Sequence, residues 1–252
     1  MFRLRDVNAV VVLALLWPIA GEPPRSGGRL RLVSVNVHTE NERSDLLLNF
    51  LRGADADVVL LMEVNDRWMT ALSPLHTNYP HRIAEVREDN FGIALFSRIP
   101  LTNASVIEIG RAGVPSVIAD VAVNEQTIHL VGTHPLPPGS SENARWRNEQ
   151  LTEIANHVRD QRTPVIVLGD LNVTPWSPYF TDLLRDGHLK DTAQGRGLFG
   201  SWPAWLPFLR IPLDHCLVSP SLHVADRHLG PQMHSDHLPV VIDLVITGGH
   251  VE

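Results

Sequence analysis

A carboxylate and a carboxamide follow an apolar segment in the middle of this chain. Residues 164–168 read Pro-Val-Ile-Val-Leu, and Gly169, Asp170, Leu171 and Asn172 come next. An apolar run of this length is typical of a fully buried strand. Because a lone carboxylate is costly to bury, such a strand end needs a cation or a hydrogen-bond donor nearby. The alternative is an ordinary turn, which Asp and Asn side chains also stabilise.

Several other apolar segments border a polar residue of a type used in catalysis. These residues are Asn36, Glu63, His134, Asp214, Asp236 and His237. Strand ends at one edge of a sheet converge in space, so this pattern predicts a single site. Each position taken alone has an ordinary alternative, such as a salt-bridged glutamate, a core amide or a loop histidine.

The elements that must position these residues alternate along the chain. Apolar patterns predict strands at 30–37, 57–64, 92–97, 116–124, 127–133, 164–168, 213–218, 222–227 and 237–246, and helices at 42–52, 142–160 and 178–185. A hairpin at residue 125 argues against a purely parallel sheet, and the helices argue against a bare β-sandwich. We predict an α/β chain of the α+β type, a four-layer sandwich of two mixed β-sheets packed face to face with helices outside.

Composition narrows the classes of protein to consider. The chain has 252 residues, 44% of them apolar, which is enough for one substantial core. The net charge of -7 and the lack of a Lys/Arg cluster argue against tight non-specific binding of long nucleic acids. The single cysteine excludes an intrachain disulfide and a cysteine-based zinc site.

The first 28 residues differ from the rest. Arg3 and Arg5 precede an apolar run at 7–20, and a Pro/Gly/Ser-rich connector follows at 21–28. The run is shorter than the about 20 residues of a membrane-spanning helix. We predict a signal peptide or short membrane anchor plus linker at 1–28, a catalytic domain at 29–252, and a periplasmic or extracellular protein, exported or membrane-anchored. A buried N-terminal strand or helix is the alternative.

The order of the motifs resembles that of the endonuclease/exonuclease/phosphatase superfamily, and in particular its bacterial members of unassigned substrate. The resemblance covers about residues 30 to 246. It rests on Asn36, Glu63, Thr133-His134, Gly169-Asp170-Leu171-Asn172, Leu213-Asp214-His215, Ser235-Asp236-His237-Leu238-Pro239 and the segment Gly92-Ile93-Ala94-Leu95-Phe96-Ser97-Arg98. It implies a metal-dependent phosphoric ester hydrolase.

Phosphoester hydrolysis needs neutralised phosphoryl charge, an aligned water and a stabilised leaving oxygen. A hard divalent ion with oxygen ligands meets part of this need. Glu63 is the best candidate ligand for the ion. The resemblance also implies that Glu63 binds the ion, with Asn36 beside it. Asp236 is either a further ligand or a hydrogen-bond anchor. The expected ion is Mg²⁺, with Mn²⁺ as a substitute.

The resemblance also implies roles around the phosphate. Asp170 would orient or deprotonate the attacking water, Asn172 would donate to a phosphoryl oxygen, and Asp214 would fix the tautomer of His237. His134 would be a second imidazole on the phosphoryl oxygens. Strand alternation predicts that Asp170 and Asn172 point to one side. The choice between Asp170 and His237 as general base stays open.

Four further residues are predicted to contact the substrate. Asn90 and Arg147 are two of them, and a solvated helix arginine is the alternative for Arg147. Trp202 and Trp205 lie in the Pro-rich segment 200–208. That segment predicts an apolar wall for the leaving group or a lip that enters a membrane, with a loop folded onto the core as the alternative.

We therefore predict a monomeric phosphodiesterase for a small or lipidic substrate, with extended nucleic acid less favoured and membrane contact through the N-terminus. A Mg²⁺-dependent nuclease acting on DNA or RNA is the first alternative. A non-catalytic membrane-anchored binding protein on the same fold is the second. A dinuclear zinc or iron phosphoesterase would need Asp-x-His and Gly-Asn-His motifs in order, which the sequence lacks.

Overall fold

Apolar segments of the chain pair into two β-sheets in the computed structural model, which describes residues 21–247. The strands are β1 (Gly28–Asn36), β2 (Val58–Met62), β3 (His81–Glu85), β4 (Ile93–Ser97), β5 (Thr102–Glu108), β6 (Pro115–Val123), β7 (Gln126–Thr133), β8 (Val165–Asp170), β9 (Lys190–Asp191), β10 (Asp214–Val218), β11 (His223–Leu229) and β12 (Val240–Ile246). The α-helices of this part of the chain are α1 (Ser44–Ala54), α2 (Asp66–Ala71), α3 (Ser141–Arg159) and α4 (Pro178–Asp186).

The two sheets have the same plan. The first sheet has the strand order β11-β12-β1-β2-β4-β3, and the second has the order β5-β6-β7-β8-β10-β9. At the centre of each sheet lies one parallel pair, β1 with β2 and β7 with β8. The other pairings within the sheets are antiparallel. Both sheets are therefore mixed, as predicted.

Apolar side chains of both sheets form the central core between them. Leu60 of β2 and Leu130 of β7 are fully buried in this core. A Cβ atom added at Gly132 would lie 2.5 Å from Leu60 Cδ1, so the sheets pack in direct contact there. Because strand side chains alternate between faces, each sheet also has an apolar outer face.

Helices cover both outer faces. Leu47 and Leu51 of α1 and Trp68 of α2 pack on the first sheet. Helix α3 packs on the second sheet with Leu151, Ile154, Ala155 and Val158, the apolar stripe that predicted this helix, and α4 adds Phe180 and Leu183. The predicted four-layer α+β sandwich is confirmed.

Several helices and strands were not predicted, and one strand was predicted to be longer than it is. Strands β3, β5 and β9 and helix α2 were not predicted, and the predicted strand 237–246 begins only at Val240. Strands β3 and β5 lie at sheet edges and are only partly buried, so they lack an apolar run. Helix α2 has six residues, too few to show a helical period.

The N-terminal prediction falls largely on residues 1–20, outside the described residues, and stays a prediction. Among the helices of residues 21–247, none has the length and apolar character needed to cross a membrane.

Candidate active site

The central strands of both sheets end at one cavity. Asn36 is the last residue of β1, Glu63 follows β2, His134 follows β7, and Asp170 is the last residue of β8. Glu63, His134 and Asp170 line a cavity of about 880 Å³. The carboxyl ends of the two parallel pairs therefore meet, as the polar strand ends predicted.

Close backbone approach shapes this edge of the sandwich. A Cβ atom at Gly169, whose φ is 145°, would lie 1.9 Å from the carbonyl oxygen of Thr133, and one at Gly92 would lie 1.8 Å from that of Val64. Only glycine fits at these two positions. Gly169 therefore lets the end of β8 approach the carbonyl of Thr133 closely.

Three predicted site residues have a left-handed backbone. The φ angles of Glu63, Asn90 and Asn172 are 63°, 66° and 50°. Such conformations are uncommon for residues with a side chain and are concentrated at functional sites. Here they turn the chain at the cavity rim just after β2, before β4 and after β8.

Asp170 is the centre of the polar network. Its Oδ2 atom lies 3.4 Å from Asn36 Nδ2, 3.5 Å from His134 Nε2 and 3.4 Å from His237 Nε2. Its Oδ1 atom accepts a hydrogen bond of 2.9 Å from the backbone N–H of Asn172. The carboxylate is buried and surrounded by donors, which meets the requirement set by its sequence position.

Strand β8 ends at Asp170, so strand alternation does not place Asn172. The bond from Asn172 N–H to Asp170 Oδ1 instead closes a side-chain turn of the kind weighed as the ordinary alternative. The Asn172 amide donates to the carbonyl of Pro135 at 2.9 Å. Both Asp170 and Asn172 still line the cavity. The two residues thus lie on the same side, as expected, but a side-chain turn and not strand alternation brings Asn172 there.

His237 and Asp214 form a hydrogen-bonded pair across the two sheets. His237 Nδ1 lies 2.7 Å from Asp214 Oδ2. Asp214 begins β10 and pairs in register with Asp170 on β8, so sheet pairing brings both carboxylates to His237. The Ser235 hydroxyl accepts from His237 N–H at 3.0 Å and donates to the Asn36 carbonyl at 2.7 Å. This bond ties the loop before β12 to β1.

The charges in this network stabilise one another. Burial alone would lower the pKa of His237, but the negative charges of Asp214 and Asp170 outweigh it and raise that pKa. Burial would also lower the pKa of His134, but the hydrogen bond that His134 donates to Asp170 and the charge of Asp170 raise that pKa. For Asp170, burial is outweighed by the His237 charge and the His134 hydrogen bond, which lower its pKa. The site therefore favours an ionised carboxylate beside protonated imidazoles.

Oxygen atoms suited to a hard cation collect on the side of the first sheet. Glu63 Oε1 accepts from Asn36 Nδ2 at 2.8 Å, and Glu63 Oε2 accepts from Thr39 N–H at 3.2 Å. Asp236 Oδ2 accepts from the indole N–H of Trp202 at 3.1 Å, whereas its buried Oδ1 has no hydrogen-bond partner. Glu63 and Asp236 both line the cavity.

A second set of metal-type donors belongs to Asp170, Asp214 and His237, whose donor atoms lie within 4.8 Å of one another. In this set, Asp214 Oδ2 and His237 Nδ1 already bond to each other at 2.7 Å. Both sets contain a buried carboxylate oxygen without a hydrogen-bond partner, Asp236 Oδ1 in the first and Asp214 Oδ1 in the second. The first set offers only oxygen donors, which hard divalent cations prefer.

The four predicted substrate contacts differ in position. Asn90 is exposed, and Asn90 and Trp202 both line the cavity. Arg147 also lines it, but its guanidinium is buried and donates to the Asn172 carbonyl and, at 2.7 Å, to Asn148 Oδ1. Trp205 is 68% exposed and lies outside the cavity lining.

Several residues of this network were missed in the sequence. Phe91 packs its ring on His134 with 5.5 Å between centroids, and His38 lines the cavity. Ser201 Oγ accepts from Asp214 N–H at 3.3 Å, and Arg227 donates to the Asp214 carbonyl at 3.0 Å. His38 follows Asn36 by two residues, and this proximity could have marked it as a candidate site residue in the sequence. The partners of the others are distant in sequence, so no local pattern marks them.

The fold and the cavity can be compared with those of known proteins. The model of the Endonuclease/Exonuclease/phosphatase family matches residues 33–237, and the chain belongs to that family. The predicted superfamily is confirmed, and the family's name describes phosphoric ester hydrolases, the class of enzyme that was predicted.

Known proteins similar to this chain include a phospholipase and a protein bound to DNA. It is 24% identical to a phospholipase C of Staphylococcus aureus over 208 residues, which are 64% of this chain and 62% of that protein. The chain thus spans less than two thirds of the length of this curated relative. An endonuclease/exonuclease/phosphatase structure from Beutenbergia cavernae has a TM-score of 0.74 at 23% identity, covering 89% of this chain and 73% of that one. D. rerio TDP2 complexed with single strand DNA product has a TM-score of 0.72 at 16% identity, covering 86% and 98%.

Proposed function

We propose that this chain is a divalent-metal-dependent phosphodiester hydrolase, in which a water held in the cavity attacks the phosphorus in line with the leaving oxygen. The observation that carries the proposal is the buried Asp170 carboxylate, with His134 and His237 at 3.5 and 3.4 Å from one of its oxygens. This arrangement combines an acceptor for water with two donors for phosphoryl oxygens.

The metal would be held by Glu63 and Asp236, with Asn36 supporting Glu63. A bound Mg²⁺ or Mn²⁺ would neutralise phosphoryl charge and stabilise the leaving oxygen. The unpartnered Oδ1 of Asp236 and the half-buried Glu63 carboxylate supply the oxygen donors that such ions prefer.

Side chains around Asp170 would position the reacting groups. Asp170 accepts a hydrogen bond from the attacking water and aims its lone pair at phosphorus. His237 and His134 donate N–H groups to the phosphoryl oxygens. Asp214 holds His237 through Nδ1, so that Nε2 faces Asp170 and the cavity. Arg147 and Asn172 keep the turn after Asp170 in place through their bonds to backbone carbonyls.

The surface beside the cavity supports a lipidic substrate. The apolar loop, residues 202–210, joins two cavity-lining residues, Trp202 and Ile211. At its tip Trp205, Phe208 and Leu209 are 68%, 97% and 66% exposed. Exposed aromatic and aliphatic side chains beside a site suit a lipid surface. The similarity to a phospholipase C agrees with this choice.

Charge supports the same choice over a long nucleic acid. Arg147 is the one Lys or Arg among the residues that line the described cavity, and it is engaged with backbone. Binding a nucleic-acid backbone needs several basic contacts. The net charge of -7 adds repulsion.

A panel of phosphoesters with and without EDTA tests the activity. The panel holds phospholipid vesicles, a soluble aryl phosphodiester, plasmid DNA and single-stranded RNA. We expect metal-dependent hydrolysis that falls at least about a hundredfold in Asp170→Asn, the effect of removing an acid–base group. Asp160→Asn, at an exposed carboxylate, is the matched control.

The outcomes separate the alternatives. Hydrolysis that resists EDTA would contradict the mechanism. Cleavage of nucleic acid but not of either other substrate would make the chain a nuclease. A folded protein that binds vesicles but hydrolyses no phosphoester would make it a binding protein.

A second comparison tests the lipid surface. We expect the double variant Trp205→Ser/Phe208→Ser to lose at least about tenfold in rate on vesicles, because each large apolar side chain contributes roughly 1.5–3 kcal/mol on leaving water. Its rate on the soluble aryl substrate should not change. Equal losses on both substrates would contradict the assignment of the apolar loop to a lipid surface.

A further inference from the structure

Two histidine rings meet on the outer face of the second sheet, away from the cavity. His129 lies on β7, four residues before Thr133 at the cavity end, or about 13 Å along the strand. His157 lies in the last turn of α3. Their Nε2 atoms are 3.3 Å apart, and their ring centroids are 5.5 Å apart.

A carboxylate holds one of the two rings. Asp120 pairs in register with His129 across β6 and β7, and its Oδ1 atom lies 2.7 Å from His129 Nδ1. The other carboxylate oxygen of Asp120 accepts from Asn103 Nδ2 at 2.7 Å. A carboxylate on Nδ1 fixes the tautomer in which Nε2 carries a free lone pair, the arrangement common at metal-binding histidines.

We propose that His129 and His157 bind a zinc-type transition-metal ion through their Nε2 atoms, with Asp120 orienting His129. In tetrahedral coordination with Zn–N bonds of about 2.0–2.1 Å, two nitrogen ligands lie about 3.3–3.4 Å apart. The same bonds at right angles would put them about 2.9 Å apart. The observed 3.3 Å matches the tetrahedral spacing.

The surroundings leave the ligand pair accessible. His157 is half-buried, which leaves a path for an ion and for water ligands to complete the shell. The described residues supply no third His, Cys, Asp or Glu donor to this cluster. A bound ion would tie the end of α3 to the middle of β7.

A hydrogen bond from His157 Nε2–H to His129 Nε2 would give the same spacing without a metal. The experiment must therefore distinguish a bound metal ion from this hydrogen bond. Full-length protein, stripped of metal, is titrated with Zn²⁺ while bound zinc is counted by equilibrium dialysis. We expect the wild type to bind one more equivalent than His157→Gln. His228→Gln is the matched control, because His228 also has a carboxylate on Nδ1, at 2.8 Å, and sits exposed on β11. We expect His228→Gln to bind as much as the wild type.

A second measurement needs no variant. Long-range ¹H–¹⁵N spectra of the wild type report each imidazole nitrogen during the same titration. We expect the Nε2 signals of His129 and His157 to shift together and those of His228 to stay in place. Co²⁺ at the site should show the strong visible absorption of tetrahedral coordination, and that absorption should be lost in His157→Gln.

Equal zinc stoichiometry in the wild type and His157→Gln, or unshifted His129 and His157 signals, would overturn the proposal and leave a hydrogen bond alone. Because the pair lies outside the cavity, these outcomes do not depend on the proposed hydrolase activity.

Discussion

The two imidazoles beside Asp170 face the same oxygen and are held in different ways. His237 has Asp214 on its other nitrogen at 2.7 Å, and Ser235 holds its backbone. His134 has no hydrogen-bond partner for its buried Nδ1 and is held by the ring of Phe91. A hydrogen-bonded carboxylate fixes both tautomer and charge, whereas ring packing fixes only position. The comparison indicates that His237 contributes electrostatically in a defined protonation state and that His134 is the more tolerant of the two.

Replacing His237 should have the larger effect. We expect His237→Gln to lower kcat/KM about a thousandfold, because it removes the charged donor and leaves Asp214 and Asp170 unneutralised. Steady-state kinetics on the soluble aryl phosphodiester measures this change. A thermal melt confirms folding, and His228→Gln is the control. A loss in kcat/KM smaller than that of His134→Gln would show that His134, and not His237, contributes more to the reaction.

Replacing His134 should cost less. We expect His134→Gln to lower kcat/KM about a hundredfold, the effect of losing one donor to a charged oxygen. The glutamine amide retains an N–H that can reach the same region. The same substrate measures the change, and an unchanged rate would remove His134 from the phosphoryl contacts.

Asp214 should act through His237. We expect Asp214→Asn to lower kcat/KM about 10- to 100-fold, as for other carboxylates that orient a functional histidine. In the double variant with His237→Gln, the Asp214 change should add little, since its partner is already gone. Full additivity of the two losses would show that Asp214 acts independently of His237, whatever its effect on folding.

Phe91 should have the smallest effect. We expect Phe91→Leu to lower kcat/KM about two- to tenfold, because an aromatic pair contributes about 0.5–1.5 kcal/mol beyond its buried area. The loss should vanish in a His134→Gln background, since the ring acts by holding His134. A loss of equal size in both backgrounds would assign Phe91 to direct substrate contact.

The sequence predicts the buried strands and the site edge well, and the supporting contacts poorly. Strands β2, β4 and β8 are continuous apolar runs with polar residues just beyond them, so both the strands and their ends are readable. The edge strand β5 reads Thr-Asn-Ala-Ser-Val-Ile-Glu and carries no such signal. Its place in the sheet comes from pairing with β6, which is a property of the folded chain.

The same limit applies to the site. Asp170 and Asp214 were recognisable from their neighbours, but the hydrogen bonds that hold the Asp214 backbone, one to Ser201 and one from Arg227, span 13 residues each. Trp205 was predicted to contact substrate together with Trp202, because a sequence does not show which aromatic ring of a loop turns inward. The structure separates them, one at the cavity and one in solvent.

The direction of β1 bears on how the protein would be tethered. Gly28 begins this strand and pairs with Ile246, and Asn36 ends it at the cavity, so the first strand separates the two points by about 26 Å. If residues 1–20 hold the chain to a bilayer, the chain then enters the sandwich at the end of β1 opposite the cavity. A tethered molecule would then present its cavity away from its own membrane and meet phosphoesters carried on a facing surface.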